Sequence, residues 1–179
     1  MRLFIAVDLS ESALKKIADY QKEILEISEK ASITKITNIH LTIKFIGETE
    51  KSKIDSILKA LRIVAKKTSS FEIELSKLGY FKRRGNYLIW VGLENSRQLQ
   101  RLKKEIEFEL CKIGFKPDLE DYLPHITIAR RVKFKGGVSA LDDIDTDIVK
   151  IYCSKFSLYS SQFTKNGVRY KSISDFYLK

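Results

Sequence analysis

The chain has little proline, little glycine and no long apolar run, and each shortage excludes a class of protein. Two prolines and eight glycines among 179 residues are too few for a disordered or linker-rich chain. No stretch approaches the roughly 18 apolar residues of a membrane-spanning helix, and the first residues lack the apolar core of a signal peptide. We therefore expect one folded, cytoplasmic domain whose core is built from the 44% of hydrophobic residues.

Cysteine and histidine are also scarce, with two residues of each. Cys111 and Cys153 do not have the close spacing of a metal or redox motif. We expect two buried thiols in a reducing compartment. Acidic residues are outnumbered, with 33 lysines and arginines against 23 aspartates and glutamates, which gives a net charge of +10. A basic surface attracts phosphate groups, so this balance favours a nucleotide or nucleic-acid partner.

The spacing of apolar residues predicts a strand–helix–strand order in the first half of the chain. A buried strand over residues 3–9 is followed by a helix from about Glu11, with Ser10 as its start signal. Further elements are predicted as a strand over 39–46, a helix over about 52–67 after Thr49, and a strand over 71–75.

The second half repeats this order at an offset of about 84 residues. It has a strand over 87–93, a helix from about Ser96 that ends near Gly114, and a strand that begins at Pro124. Beyond a loop over 133–140, two antiparallel strands over 148–159 and 168–178 are joined by Lys165, Asn166 and Gly167. The repeated order predicts a duplicated, pseudo-symmetric α+β protein.

Both histidines of the chain stand in the same local sequence, HLTI at His40 and HITI at His125. Because side chains alternate along a strand, His40 shares a face with Thr42, and His125 shares a face with Thr127. A single H-x-T tripeptide is typical of an ordinary core or surface histidine. Two copies at matching positions of a duplication indicate a site, in which two imidazoles and two hydroxyls converge on one cleft.

These four side chains suit phosphodiester chemistry. Imidazole titrates near pH ~6.5, so one histidine can accept a proton while the other donates one. Threonine hydroxyls can donate to phosphate oxygens. The competing interpretation is a zinc site, which needs four ligands or three plus water. The nearest acids in sequence are Glu48 and Asp121 and no cysteine is close, so we expect no metal.

The segments MRLFIAVDL, HLTIKFIGE and LPHITIAR resemble, in order and spacing, the RNA 2′,3′-cyclic phosphodiesterase family. This family, also called 2′-5′ RNA ligases, belongs to the two-histidine phosphoesterase superfamily, and the resemblance covers essentially the whole chain. It implies a single domain over 1–179 with a bilobal α+β fold, in which antiparallel sheets surround a central cleft and helices lie outside. The lobes would span about 1–80 and 81–179, with the termini exchanged between them, and no cofactor or metal would be used.

By the same resemblance, His40 would be the general acid that protonates the leaving 3′ oxygen, and His125 the general base that activates water. Thr42, Thr127 and Arg130 would bind the phosphate, and Phe45 would contact the nucleoside. The substrate would be RNA with a 2′,3′-cyclic phosphate end or a cyclic nucleotide, the product a 2′-phosphate, and the protein a monomer without membrane contact. The residues alone leave the acid and base roles open, because the two strands are pseudo-equivalent.

Strict alternation raises a difficulty, because it places Phe45 and Arg130 on the face opposite the histidines. Either a bulge or a strong twist turns the chain there, or these two residues are structural. Lys44 and Arg131 lie on the histidine faces by simple alternation and are the reserve candidates. A predicted loop over 79–84, GYFKRR, mixes aromatic and basic residues, which is typical of an RNA contact or of an ordinary solvated hairpin turn.

Three further functions remain open. The same side chains could serve a 2′,5′-oligonucleotide phosphodiesterase or another sibling enzyme. They could also serve 2′-5′ ligation, the reverse reaction, which ranks second because ring strain favours hydrolysis. A non-catalytic RNA-binding module would suit the charge, but plain binding requires no second imidazole.

Overall fold

The computed structural model describes residues 1–94, 96–165 and 167–179, and within them the chain forms three helices and nine strands. The helices are α1 (Glu11–Ile27), α2 (Ile54–Lys67) and α3 (Arg97–Cys111). The strands are β1 (Arg2–Val7), β2 (Ser28–Ile33), β3 (Leu41–Glu48), β4 (Phe71–Arg83), β5 (Asn86–Glu94), β6 (His125–Phe134), β7 (Lys150–Cys153), β8 (Lys155–Thr164) and β9 (Gly167–Tyr177).

The strands form two antiparallel sheets, which confirms the α+β prediction. Sheet A has the order β3-β1-β8-β9, and sheet B has the order β2-β6-β5-β4-β7. The duplication appears in this order, because β3, β1 and β8 take the places in sheet A that β6, β5 and β4 take in sheet B. Each sheet is therefore built from the same three-strand pattern.

The third strand of each pattern comes from the other half of the chain. Strand β4 ends the first repeat but pairs with β5 of the second, and β8 ends the second repeat but pairs with β1 of the first. The sheets therefore exchange strands between the two halves of the chain, and lobes over about 1–80 and 81–179 with exchanged termini stay a prediction. Strands β2 and β4 of the first half lie in sheet B, and β8 and β9 near the end of the chain lie in sheet A.

The helices cover the sheets through apolar faces. Helix α1 begins at Ser10, whose Oγ accepts a hydrogen bond from the backbone N–H of Ala13 at 3.3 Å, as predicted. Its buried residues Ile17, Tyr20 and Ile24 recur at helical spacing, and the helix packs against β2 and β6. Helices α2 and α3 pack against each other and contact β9 and β3.

Several predicted boundaries are wrong. Thr49 does not cap α2, because its Oγ1 donates to the carbonyl oxygen of Gly47 at 3.2 Å and a short 3-10 turn precedes the helix. Residues 79–83 and 133–134 continue β4 and β6 rather than forming loops. The predicted strand over 148–159 is interrupted at Ser154, where the chain passes from sheet B to sheet A. The segment Ser28–Ile33 forms an unpredicted edge strand, since SEKASI shows no apolar alternation.

The two cysteines differ in burial. Both cysteines are free, but Cys111 is exposed rather than buried, while burial raises the pKa of Cys153 to about 12. No helix of the described residues is long and apolar enough to cross a membrane. Asn166, predicted in the turn between the last two strands, lies outside the described residues.

Candidate active site

A β-bulge interrupts β3 just after its histidine motif. Ala6 of β1 pairs with Thr42, whereas the preceding Ile5 pairs with Lys44, so Ile43 has no partner of its own. An extra residue of this kind reverses the faces on which the following side chains lie.

The same bulge occurs at the same place in β6. Trp90 of β5 pairs with Thr127, whereas Ile89 pairs with Ala129, so Ile128 is the extra residue. The bulged isoleucine stands three positions after the histidine in each motif. The duplication therefore repeats an irregularity of the backbone as well as the residues.

The two bulges settle which face the later residues take. Phe45 and Arg130, five positions after their histidines, lie beside the histidines in the cleft rather than on the opposite face. Lys44 and Ala129, four positions after, are buried instead. Strict alternation is correct as far as the threonines and wrong beyond them.

One cleft of about 1070 Å³ lies between the two motifs. It is lined by all six residues that the sequence singled out, namely His40, Thr42, Phe45, His125, Thr127 and Arg130. Among the described residues, neither the Thr42 nor the Thr127 hydroxyl has a hydrogen bond to the protein. Both hydroxyls therefore remain able to donate to a ligand in the cleft.

The two imidazoles are held in the same way. Nδ1 of His40 lies 2.8 Å from the carbonyl oxygen of Asn38, and Nδ1 of His125 lies 2.8 Å from that of Leu123. A carbonyl oxygen can only accept, so each Nδ1 carries its proton and donates it. Each Nε2 is therefore the nitrogen that remains for proton transfer.

His40 lies in an aromatic environment formed by strands of sheet A. Its ring centre is 4.9 Å from that of Phe4 and 5.0 Å from that of Tyr170, which meets it edge-on. Burial lowers the pKa of His40, while the Asn38 carbonyl and the charge of Asp8 act to raise it. The guanidinium of Arg130, on a strand of sheet B, also lowers this pKa across the cleft.

His125 lies against different aromatic residues, on strands of sheet B. Its ring centre is 5.2 Å from that of Phe81 and 6.1 Å from that of Trp90. Arg83 stacks over Phe81 at 5.7 Å. Trp90 lies over Gly79, where a Cβ would come within 2.2 Å of the ring. The segment predicted as a loop is therefore a strand whose Phe81 and Arg83 line the cleft.

The reserve candidates have different positions. Lys44 is buried, and its Nζ forms ion pairs with Glu107 at 3.0 Å and with Asp118 at 2.7 Å. Burial would lower the pKa of Lys44, but these two carboxylates outweigh it and raise the pKa. Lys44 is therefore part of an ion group that also includes Lys103, at the wall of the cleft. Arg131 is exposed at the cleft, with a backbone φ of 52°.

Sequence reasoning missed several residues of the cleft. Tyr170 reaches His40 from β9, and no pattern in the sequence places β9 in the same sheet as β3. Tyr122 was also missed, and its hydroxyl donates to the carbonyl oxygen of Thr42 at 2.9 Å. Within the described residues, no three histidine, cysteine, aspartate or glutamate side chains form a group that could hold a metal ion.

Comparison with known sequences finds one matching superfamily and several similar proteins. The sequence model of the 2′-5′ RNA ligase superfamily matches residues 12–162. The chain is 33% identical to an RNA 2′,3′-cyclic phosphodiesterase of Thermotoga maritima, over 96% of this chain and 92% of that protein. It is also 33% identical to an RNA 2′,3′-cyclic phosphodiesterase of Methanocaldococcus jannaschii, over 98% of this chain and 99% of that protein.

Solved structures share the fold. The protein TT0787 of Thermus thermophilus superimposes with a TM-score of 0.83 at 22% identity, covering 99% of this chain and 98% of that one. Escherichia coli LigT in apo form superimposes with a TM-score of 0.76 at 20% identity, covering 99% of this chain and 96% of that one.

Proposed function

The chain belongs to the 2′-5′ RNA ligase superfamily, and from this membership we propose that it hydrolyses 2′,3′-cyclic phosphates on RNA ends or nucleosides to 2′-phosphates. One observation carries the proposal. Two imidazoles, each with Nδ1 held by a carbonyl and Nε2 left for proton transfer, line one cleft with an arginine and two threonine hydroxyls that have no partner within the described part of the chain. These are the groups that acid–base catalysis on a bound phosphate requires.

The reaction needs one proton acceptor and one proton donor. Nε2 of His125 takes a proton from water, and the water oxygen attacks phosphorus in line with the bond to the 3′ oxygen. That bond breaks, and Nε2–H of His40 gives its proton to the 3′ oxygen. Thr42, Thr127 and Arg130 bind the non-bridging oxygens, where charge builds up in the transition state.

As the general acid, His40 must carry a proton, although burial lowers its pKa in the free protein. A bound phosphate diester brings a negative charge into the cleft, which favours the imidazolium. The phosphate also takes up the charge of Arg130, which otherwise lowers this pKa. Substrate binding therefore favours the protonated His40 that the reaction requires.

The exposed Phe45 supports a nucleoside subsite beside the phosphate. Its ring is 66% exposed, on the histidine face of β3, and its centre lies 6.2 Å from that of Phe4. A large apolar ring that is left open to solvent in a cleft can stack a base. E. coli LigT, a structural neighbour, has been crystallised with 3′-AMP.

The decisive experiment is turnover of a 2′,3′-cyclic nucleotide and of a short RNA with a cyclic phosphate end, after exhaustive treatment with EDTA. We expect hydrolysis to the 2′-phosphate at an unchanged rate, identified by the position of the phosphate in the product. A protein that binds RNA but turns over neither substrate would instead be an RNA-binding module.

The superfamily's name also favours a second activity, the joining of a 2′,3′-cyclic end to a 5′-hydroxyl. It would use the same two proton transfers, with the 5′-hydroxyl in the place of the attacking water and the 3′ oxygen again as the leaving group. Incubation of the two RNA ends at high concentration, followed by a search for a 2′-5′ linkage, tests it. A cytoplasmic location and a monomeric state stay predictions from the sequence.

A further inference from the structure

The two histidines differ in the residue that faces each of them across the sheet. In sheet B, Gly92 of β5 pairs with His125. In sheet A, Val7 of β1 pairs with Leu41, and continuing this antiparallel register by one residue places Asp8 opposite His40. Side chains that face each other in this way lie about 4.5–5.5 Å apart at Cβ. This register places a carboxylate near one imidazole, whose charge acts on His40, and a glycine opposite the other.

Sheet B could not easily hold a counterpart of Asp8. A Cβ at Gly92 would come within 3.2 Å of the Trp90 ring and 3.3 Å of the Lys77 carbonyl oxygen. The residue that corresponds to Trp90 in sheet A is Ala6, which pairs with Thr42 as Trp90 pairs with Thr127. The space opposite the histidine is thus occupied by the Trp90 indole in sheet B and by the Asp8 carboxylate in sheet A.

Residues of β8 hold the Asp8 carboxylate beside the aromatic residues that surround His40. The hydroxyl of Tyr159 donates a hydrogen bond to Asp8 Oδ1, and Lys155 Nζ lies 3.5 Å from Oδ2. The Tyr159 ring stacks on Phe4 at 5.3 Å, and Phe4 packs against His40. Because Lys155 is also paired with Asp175 at 2.7 Å, its charge is shared and the negative charge of Asp8 is only partly neutralised.

We propose that Asp8 is a positioning residue that keeps the proton on His40 and so assigns the general-acid role to this histidine rather than to His125. The inference rests on the proposed hydrolysis and supplies a physical reason for the direction of proton transfer, which the duplicated motif alone leaves open. The observations that carry it are the register, the fixed carboxylate and the absence of a counterpart at Gly92.

The charged groups around His40 act in opposite directions. Among the described residues, Asp8 at the end of β1 favours the imidazolium, and Arg130 of β6 disfavours it. Burial and the neighbouring Asp8 raise the pKa of the Tyr159 phenol of β8, and Tyr170 of β9 meets the His40 ring edge-on. When a substrate phosphate occupies the cleft, its negative charge neutralises that of Arg130. The Asp8 carboxylate then favours the protonated form of His40 without this opposing charge.

Asp8→Asn tests the proposal, because an amide oxygen still accepts the Tyr159 hydrogen bond while the charge is lost. The chain has only two histidines, so an NMR titration follows two imidazoles without overlap. We expect the His40 midpoint to fall by about one pH unit and the His125 midpoint to stay, since an opposite charge within reach shifts a pKa by about this much or more. Asp19→Asn, which removes an exposed carboxylate on α1, is the control for net charge and should move neither midpoint.

The pH dependence of kcat/KM on a 2′,3′-cyclic nucleotide then tests the assigned role. In Asp8→Asn the alkaline limb, where the acid loses its proton, should move down by the same shift, so that the rate above it falls about tenfold. Asp8→Glu should keep the limb close to that of the wild type. An unmoved alkaline limb, or a shift of the acidic limb instead, overturns the assignment. Failure of the proposed hydrolysis itself would show separately, as no wild-type turnover.

Discussion

Strands β3 and β6 carry the same motif with the same bulge and the same Nδ1 contact, yet the elements beside them differ. The outer edge of β6 pairs with β2, with Ser32 opposite Arg130. Beside β3 lies an irregular segment over 115–123, fixed by the Tyr122 hydroxyl on Thr42 and by the carboxylate of Asp118 on Lys44. The duplication thus repeats the geometry of the imidazole and hydroxyl groups, while unlike neighbours give each copy its own electrostatics. Four experiments test this contrast.

Removing either imidazole should have the largest effect. We expect His40→Ala and His125→Ala each to lower kcat on a 2′,3′-cyclic nucleotide by about 10²–10⁴-fold, because each removes one of two proton transfers. The double variant should be little worse than the poorer single variant, since the two groups act as a unit. Thermal unfolding checks that both variants are folded. Near-normal turnover by either single variant would contradict the two-histidine mechanism.

Arg130 and Arg131 are adjacent in sequence, but the bulges give them different surroundings. Arg130→Ala should lower kcat/KM about 10–100-fold, because a charged donor to the phosphate is worth roughly 1.5–3 kcal/mol. It should also raise the pKa of His40, whose protonated form Arg130 disfavours. Arg131→Ala is the matched control, with a smaller effect on rate. Equal losses in the two variants would argue against a specific phosphate contact by Arg130.

Lys44 and Ala129 take the same place after the bulge in the two strands, one in an ion group and one in an apolar core. Lys44→Ala should lower the free energy of unfolding by about 1–3 kcal/mol, because it leaves Glu107 and the half-exposed Asp118 short of a partner. Chemical denaturation of the variant against the wild type measures the difference. Ala129→Ser, a small polar change in the matching place, gives the comparison without a lost ion pair.

The same ion group gives a dependence of stability on pH. Desolvation acts to raise the pKa values of Glu107 and Asp118, but the other contacts together outweigh it and lower both in the folded protein. These contacts are the hydrogen bonds and charges of Lys103 and Lys44 and, for Glu107, the backbone N–H of Asp118. The unfolded chain therefore binds protons first, so this stabilisation is present above the ordinary carboxyl range and is lost as the pH falls through the lowered folded values. Denaturation at several acidic pH values should show a smaller loss in Lys44→Ala. This is the smallest of the four effects, and parallel curves would contradict it.

Of the six cleft residues that the sequence singled out, four could be placed by alternation and duplication, because His40, Thr42, His125 and Thr127 precede the bulges. Phe45 and Arg130 could not be placed, since one extra residue reverses the face and no sequence pattern marks Ile43 or Ile128 as bulged. The aromatic residues around each histidine depend on strand order, which local patterns do not determine. The α+β class and most elements follow from periodicity, whereas the exchange of β4 and β8 between the repeats is a property of the whole chain.

The exchanged strands also bear on how the protein folds. Strand β1 pairs with β8, so Arg2 lies opposite Ser161 although most of the chain separates them. Contacts this distant in sequence cost loop-closure entropy before they stabilise anything, and proteins rich in them fold slowly. The ring of Tyr170 beside His40 belongs to β9, which pairs with β8 at the edge of sheet A. During synthesis, sheet B can acquire most of its strands first, and His40 receives its aromatic surroundings when the last strands arrive.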